Sequence, residues 1–319
     1  MTLKPTHALL ALFITAIWGF NFVVIKVGVA EVPPLLLTGL RFLFAALPAI
    51  FFVPKPKAAW QYVAAFGFLL GVVKFGMLFV SIKIGLSASL ASLVMQLQVF
   101  FTIVFAAVLL GERSKRIQIV GGLIAFSGIA IIAASRWNGP ELLPLVLAVL
   151  AALTWGVANI IAKKSGETNV LSFIVWASLA APLPLFVLSW LFEDHAIINA
   201  TLMHPSWLTI TTIAFLAGPA TVFAFGSWNF LLGRYPANMV TPFALLVPIF
   251  GTASGIIVLN EPFDIYEILG STLVLSGLLL NVFGPRFKRQ QTTSAAPRLQ
   301  PNPLQTSPAA ARVKLPSQR

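Results

Sequence analysis

"WGFNFVVIKVG" at residues 18–28 and "WGVANIIAKKSG" at 155–166 decide how this chain is read. Each opens on Trp-Gly, carries one asparagine (Asn21, Asn159) and closes on lysine, all at the end of a long apolar run. A cation held in such surroundings needs a physical reason, and the same phrase written twice suggests that the reason is architectural.

The surroundings are extreme. Of 319 residues, 58% are hydrophobic and 9% are charged, whereas soluble domains carry roughly a quarter charged residues. Most of the chain is therefore solvated by lipid. A helix crossing hydrocarbon needs about 20 mostly apolar residues, and ten segments qualify: 8–29, 33–53, 61–82, 88–110, 117–134, 142–162, 170–191, 207–232, 238–259 and 266–284. Short punctuated connections such as EVPP, PKPK, GERSKR and NEPFD separate them, and only 192–206 is long enough to hold structure of its own. The start resembles a signal peptide, but no small-residue cleavage pattern closes it, so it reads as an uncleaved first span after a short N-terminus, 1–7. Beyond Gly284 the composition turns to Pro, Gln, Ser, Thr, Ala and Arg, and residues 285–319 read as a disordered basic tail.

The formal charge of +12 would suggest nucleic acid in a soluble protein. Here its placement answers the question. With a cytoplasmic N-terminus, sixteen Lys and Arg fall in inside segments and the tail, against only Lys83 and Arg136 outside. The positive-inside rule then puts both termini in the cytoplasm. No nucleic-acid partner is expected; the partners are the bilayer and a small molecule. There is no cysteine, hence no thiolate metal site or thiol nucleophile.

The repetition extends beyond the opening phrase. Shifted by 149 residues, 88–128 falls on 237–277: Ala88 meets Ala237, Phe101 meets Phe250, Glu112 meets Glu261, Gly121 meets Gly270, and Ser127-Gly128 meets Ser276-Gly277. Each unit, 8–134 and 142–284, holds five spans, and an odd number of crossings makes the second copy enter from the opposite side. The expected fold is an all-α membrane protein of ten helices in two inverted five-helix repeats, an architecture used for alternating access.

Three cations lie within spans: Lys26, Arg41 and Lys74. A cation near the bilayer centre costs at least roughly 2.5 kcal/mol on insertion scales, so it faces a cavity or a partner. All nine acidic residues and all three histidines fall in connections or at span ends. The interior thus has positive side chains without a counter-ion, which suits a substrate that brings its own carboxylate and argues against cationic cargo. Snorkelling is the plain alternative for Lys26, and bonding to backbone carbonyls for Arg41 and Lys74.

Neutral polar groups complete the candidate pathway. Gln96 and Gln98 sit at the middle of the fourth span, with Ser89 and Ser92 on the Gln96 face at helical spacing; amide bonding between helices is the competing reading. Asn21 and Asn159 belong to the repeated phrase, and Trp18 and Trp155 could wall a cavity. Pro242 and Pro248 interrupt the ninth span and free backbone carbonyls there, as transporters do at their midplane sites. Gly218-Pro219 in the eighth span is a weaker signal of the same kind.

The stretches "WGFNFVVIKVG", "GLRFLFAALPAIFF", "LASLVMQLQVFFTI", "GERSKRIQIVGG", "LLGRYPANMVTPFALLVPIFG" and "NVFG" resemble the EamA family of the drug/metabolite transporter superfamily over residues 8–284, and within it the bacterial exporters of O-acetylserine and cysteine. That resemblance implies two inverted repeats around a central cavity, the bacterial inner membrane, no cofactor, and efflux of small amino-acid metabolites. The alternative is a permease of the same type for another metabolite or drug, such as other amino acids or aromatic compounds. Glu112 and Glu261 match the family's acids after the fourth and ninth spans and are expected to be structural, closing the repeat or capping the fifth and tenth. A membrane-embedded enzyme is not expected, because the spans lack the His, Asp, Glu or Cys that a nucleophile, an acid–base pair or a metal would require.

Overall fold

A computed structural model describes residues 3–137 and 139–294. Among them there is no strand, and ten helices are long and apolar enough to cross a membrane: α1 Pro5–Glu31, α2 Pro34–Phe51, α3 Trp60–Lys83, α4 Ala88–Leu110, α5 Arg116–Ser135, α6 Leu142–Ser165, α7 Val170–Phe192, α8 Trp207–Arg234, α9 Asn238–Leu259 and α10 Ile265–Gly284. The helices coincide with the expected spans and exceed several of them by a few residues. The connection at 192–206 does hold structure, the short helix His195–Met203, whose first turn is capped by the Asp194 side chain.

Connections sort the helix ends into two faces. On the first, Glu31 accepts from the Ser206 hydroxyl ahead of α8, and Glu193, just past α7, accepts from the backbone N–H groups of Leu35 and Leu36 at the start of α2. On the second, Glu167 accepts from the N–H groups of Lys57 and Ala58 ahead of α3. The first four N–H groups of a helix have no partner within it, so a carboxylate there satisfies donors and meets the positive end of the helix dipole.

Small residues set the closest helix contacts, as they do where lipid removes the hydrophobic drive for helix association. A Cβ on Gly121 of α5 would lie 2.7 Å from the Gly277 carbonyl oxygen of α10, and one on Gly270 would lie 2.7 Å from the Gly128 oxygen. Likewise, Gly19 of α1 packs on Phe250 and Gly251 of α9, while Gly156 of α6 packs on Phe101 and Thr102 of α4. Under the 149-residue shift and the Trp18–Trp155 correspondence, each of these contacts has its counterpart.

Several spans are locally irregular. In α3, Phe68–Phe75 winds as a π-helix, and α8 does the same at Gly218–Phe223. In α4, Met95–Leu97 tightens to a 3-10 turn, and Thr241–Leu245 in α9 does likewise around Pro242. Pro248 stays within the regular last part of α9 and is buried. The end of α4 is marked by Gly111 at φ 67° and the end of α9 by Asn260 at φ 52°, both left-handed stops that release the last carbonyls to the chain that follows. Gly284, the expected limit of the folded part, does not end a helix: the last helix runs on from Ile265 to Ser294. Residues 295–319 of the expected tail lie outside the described residues.

Candidate functional site

The irregular turn of α3 carries Lys74, and it delivers that side chain inward. Lys74 is 4% exposed and Arg41 of α2 is 3% exposed; neither reaches lipid. Both bear on one aromatic ring. Lys74 Nζ lies 3.2 Å from the Phe75 ring centre and Arg41 Cζ 4.2 Å from it. Trp155 of α6 covers Lys74 at 4.3 Å. Sharing one ring bounds the two charges at about 7 Å apart, where like charges repel by roughly 2 kcal/mol at an effective dielectric of about 20. Cation–π attraction to desolvated rings offsets a similar amount.

Arg41 makes one hydrogen bond, from Nη2 to the Thr221 hydroxyl at 3.4 Å. Thr221 is itself buried within the π-helical turn of α8 and donates to the Leu216 carbonyl at 2.8 Å. The Arg41 Nε and Nη1 groups have no hydrogen-bond partner among the described residues. The two ion pairs seen there, Arg136 with Glu267 and Lys163 with Glu112, both lie at helix ends. A buried guanidinium with unused donors is costly unless something else receives them.

The remaining expected residues fall into separate groups. Asn159 donates to Gln98 Oε1 at 2.7 Å and to the Thr102 hydroxyl at 3.0 Å, one turn along α6 from Trp155, so this amide chain continues the Lys74 wall. Gln96 donates to the Ala244 carbonyl at 3.3 Å, within the 3-10 turn of α9 that holds Pro242. Trp18 donates to the Ala220 carbonyl at 3.2 Å, inside the π-helical turn of α8. Asn21 is 7% exposed, and its Oδ1 has no partner among the described residues. Measured along the helices at 1.5 Å per residue, Lys74, Asn21 and Gln98 lie about 13–15 Å from the first face, near the middle of a bilayer core about 30 Å thick.

Lys26 stands apart from this cluster. Its ammonium donates to the Leu86 carbonyl at 2.9 Å and the Ile82 carbonyl at 3.4 Å, at the end of α3. Lys83, at that end of α3, returns the favour to α1, donating to Val29 at 2.6 Å and Ala30 at 3.3 Å. Each lysine thus closes the C-terminus of the other's helix, where the dipole favours a cation.

Of the two structural roles expected for Glu112 and Glu261, closing the repeat or capping α5 and α10, the second is corrected. Glu261 accepts from the Ala88 N–H at 2.6 Å, the Ser89 N–H at 2.9 Å and the Ser89 hydroxyl at 2.7 Å, so it caps α4. Glu112 pairs with Lys163 at the end of α6. The start of α10 is capped by Asp264, which accepts from the Glu267 N–H.

Thr221 and Phe75 were not singled out by sequence. The pointer to Thr221 was Gly218-Pro219 two residues ahead of it; for Phe75, one aromatic among 27 phenylalanines, there was none. An apolar hollow of about 460 Å³ also lies between α2 and α8, lined by Leu40, Phe44, Thr209, Ile213 and Gly218 among others, but neither cation is in its wall.

The model of the EamA-like transporter family matches the chain twice, over residues 6–134 and 142–283. A protein of Escherichia coli (strain K12) named "Probable amino-acid metabolite efflux pump" is 39% identical over 88% of this chain and 96% of its own length. A protein of the same name from Salmonella typhimurium is 40% identical, covering 89% and 97%. An "Uncharacterized inner membrane transporter" of E. coli K12 is 23% identical over 87% and 90%. A solved crystal structure superposes with a TM-score of 0.61 at 19% identity, covering 90% of this chain and 99% of the other, a likeness of fold alone.

Proposed function

The chain belongs to the EamA-like transporter family, and we propose that it exports amino-acid metabolites bearing a carboxylate, O-acetylserine and cysteine first among them, across the bacterial inner membrane. The observation that carries this reading is the Arg41–Lys74 cluster: two buried cations on one ring, no acid beside them, and guanidinium donors without partners. A substrate carboxylate would relieve the repulsion and take up those donors. Trp155 and Phe75 would pack its short carbon chain, and Gln98 with Asn159 would meet its polar end. The names of the two relatives near 40% identity support the same substrate class.

The paired contacts between α5 and α10 and between α1–α9 and α4–α6 support a reading as two inverted repeats that rock against each other. Both cations are buried, so access from either face requires such a motion. With the termini in the cytoplasm, the face joined by Glu31, Glu193 and Glu261 is periplasmic. No Asp, Glu or His lies in the cluster to carry a proton, and efflux down the metabolite gradient is the simplest coupling.

Uptake of labelled O-acetylserine into inside-out vesicles tests this, with and without a pH gradient. Saturable flux indifferent to the gradient and abolished by Arg41→Gln is the expected result. Flux of organic cations with none of amino acids would overturn the reading.

A further inference from the structure

The cationic cluster leaves a buried acceptor unexplained as well as buried donors. Gly28 of α1 packs against Leu37 of α2 and Thr212 of α8, so this face of α1 looks into the seam between those two helices. Asn21 lies seven residues earlier, two turns along the same face and about 10 Å deeper at 1.5 Å per residue. Arg41 is one turn past Leu37, about 6 Å deeper, on the face of α2 that meets α1. Its guanidinium reaches on to Thr221, nine residues past Thr212 and about 13 Å deeper. Between those levels the guanidinium passes the depth of Asn21. Trp18 fixes this part of α1 by its bond to Ala220, next to Thr221. Unused donors on Arg41 and an unused acceptor on Asn21 therefore lie at one depth along α8, both more than nine-tenths buried.

We propose that Asn21 Oδ1 receives the α-ammonium group of the substrate while Arg41 and Lys74 hold its carboxylate. The transported class is then the zwitterionic α-amino acid rather than small carboxylates at large. The assignment rests on the carboxylate reading above and adds a second point of recognition. A neutral amide suits the role: among two cations it accepts from an ammonium group without binding either lysine or arginine as a permanent salt bridge.

The test is competition against labelled O-acetylserine uptake by the reconstituted full chain, using O-acetylserine itself and 3-acetoxypropionate, the same acid without its amino group. The intact protein should prefer the amino acid by about 10-fold or more, the worth of a hydrogen bond to a charged group. Asn21→Leu should remove that preference by weakening only the amino acid. Asn21→Ser, which keeps a small neutral acceptor, should retain part of it, which guards against a misfolded leucine variant. The proposal falls if Asn21→Leu keeps the preference, if both competitors weaken equally, or if the intact protein does not distinguish the acids. In that last case, loss of the labelled uptake itself in Arg41→Gln would leave the carboxylate reading standing; unchanged uptake in that variant would remove both.

Discussion

Replacing Lys74 by methionine should make the protein more stable and a worse transporter at once. Methionine keeps the length and packs on Phe75 and Trp155 through sulfur–aromatic contacts worth about 0.3–1.5 kcal/mol, against about 2 kcal/mol for a desolvated cation–π pair. The substitution also removes roughly 2 kcal/mol of repulsion from Arg41 and the cost of holding a charge at this depth, about 2.5–3.5 kcal/mol on insertion scales. With such a pair lost on both rings, the balance still favours methionine by about 1 kcal/mol or more, a rise of a few degrees in the melting midpoint of the purified protein. For transport, one charge-assisted hydrogen bond to the substrate is lost, about 1.5–3 kcal/mol, which raises KM about 10- to 150-fold. Thermal melting in detergent and concentration-dependent uptake in inside-out vesicles read the two effects separately. A variant that melts earlier and keeps its KM would refute the reasoning, because Lys74 would then be a structural tie and not a waiting site.

Gly121→Ala should cost about 1–3 kcal/mol by forcing a methyl group onto the Gly277 carbonyl, whereas Gly233→Ala, whose Cβ would meet nothing within 4 Å, should be neutral in the same melting assay. Glu261→Gln should destabilise the start of α4 by about 1–3 kcal/mol, since two N–H groups and a hydroxyl lose a charged acceptor; faster amide exchange at Ala88–Leu90 would report it. The Glu167 carboxyl is held below its ordinary range chiefly by the Asn169 N–H, with Ala58, Lys57 and Thr168 adding to it against the opposing effect of burial. Its stabilisation is therefore present above about pH 4.5 and lost as pH falls through the lowered folded value, so the acid limb of the melting curve should be flatter in Glu167→Gln. Because the sequence has no cysteine, Asn199→Cys and Lys115→Cys, both at exposed positions, each supply one thiol. An impermeant maleimide should label the first in spheroplasts and the second only after lysis.

Ten crossings could be read from composition because the demand for about 20 apolar residues is blunt and lipid imposes it everywhere. The buried cations were readable for the same reason: their cost makes Arg41 and Lys74 conspicuous. The winding of α3 was not readable, since "FLLGVVKF" is as apolar as a regular helix and carries no local signal of its π-helical turn. Glu261 was placed on the wrong helix because its partner, the start of α4, lies 172 and 173 residues away in sequence and no local signal names it. Thr221 was missed because a threonine within a span is ordinary until Arg41 is seen beside it.

The crossed lysine caps have a mechanical consequence. Lys26 on α3 and Lys83 on α1 bolt two helix ends into one strut, and Glu261 fastens the neighbouring end of α4 to the α9–α10 corner. Glu193 welds α7 to α2 in the same way, whereas among the described residues the polar tie of α1 to α8 at this rim is the exposed Ser206–Glu31 hydrogen bond, beside the packing of Gly28 on Thr212. In the proposed rocking, this rim would part where the fastening is thinnest, so a disulfide engineered across Glu31–Ser206 would jam the door, and one placed between α1 and α3 would ride along unnoticed.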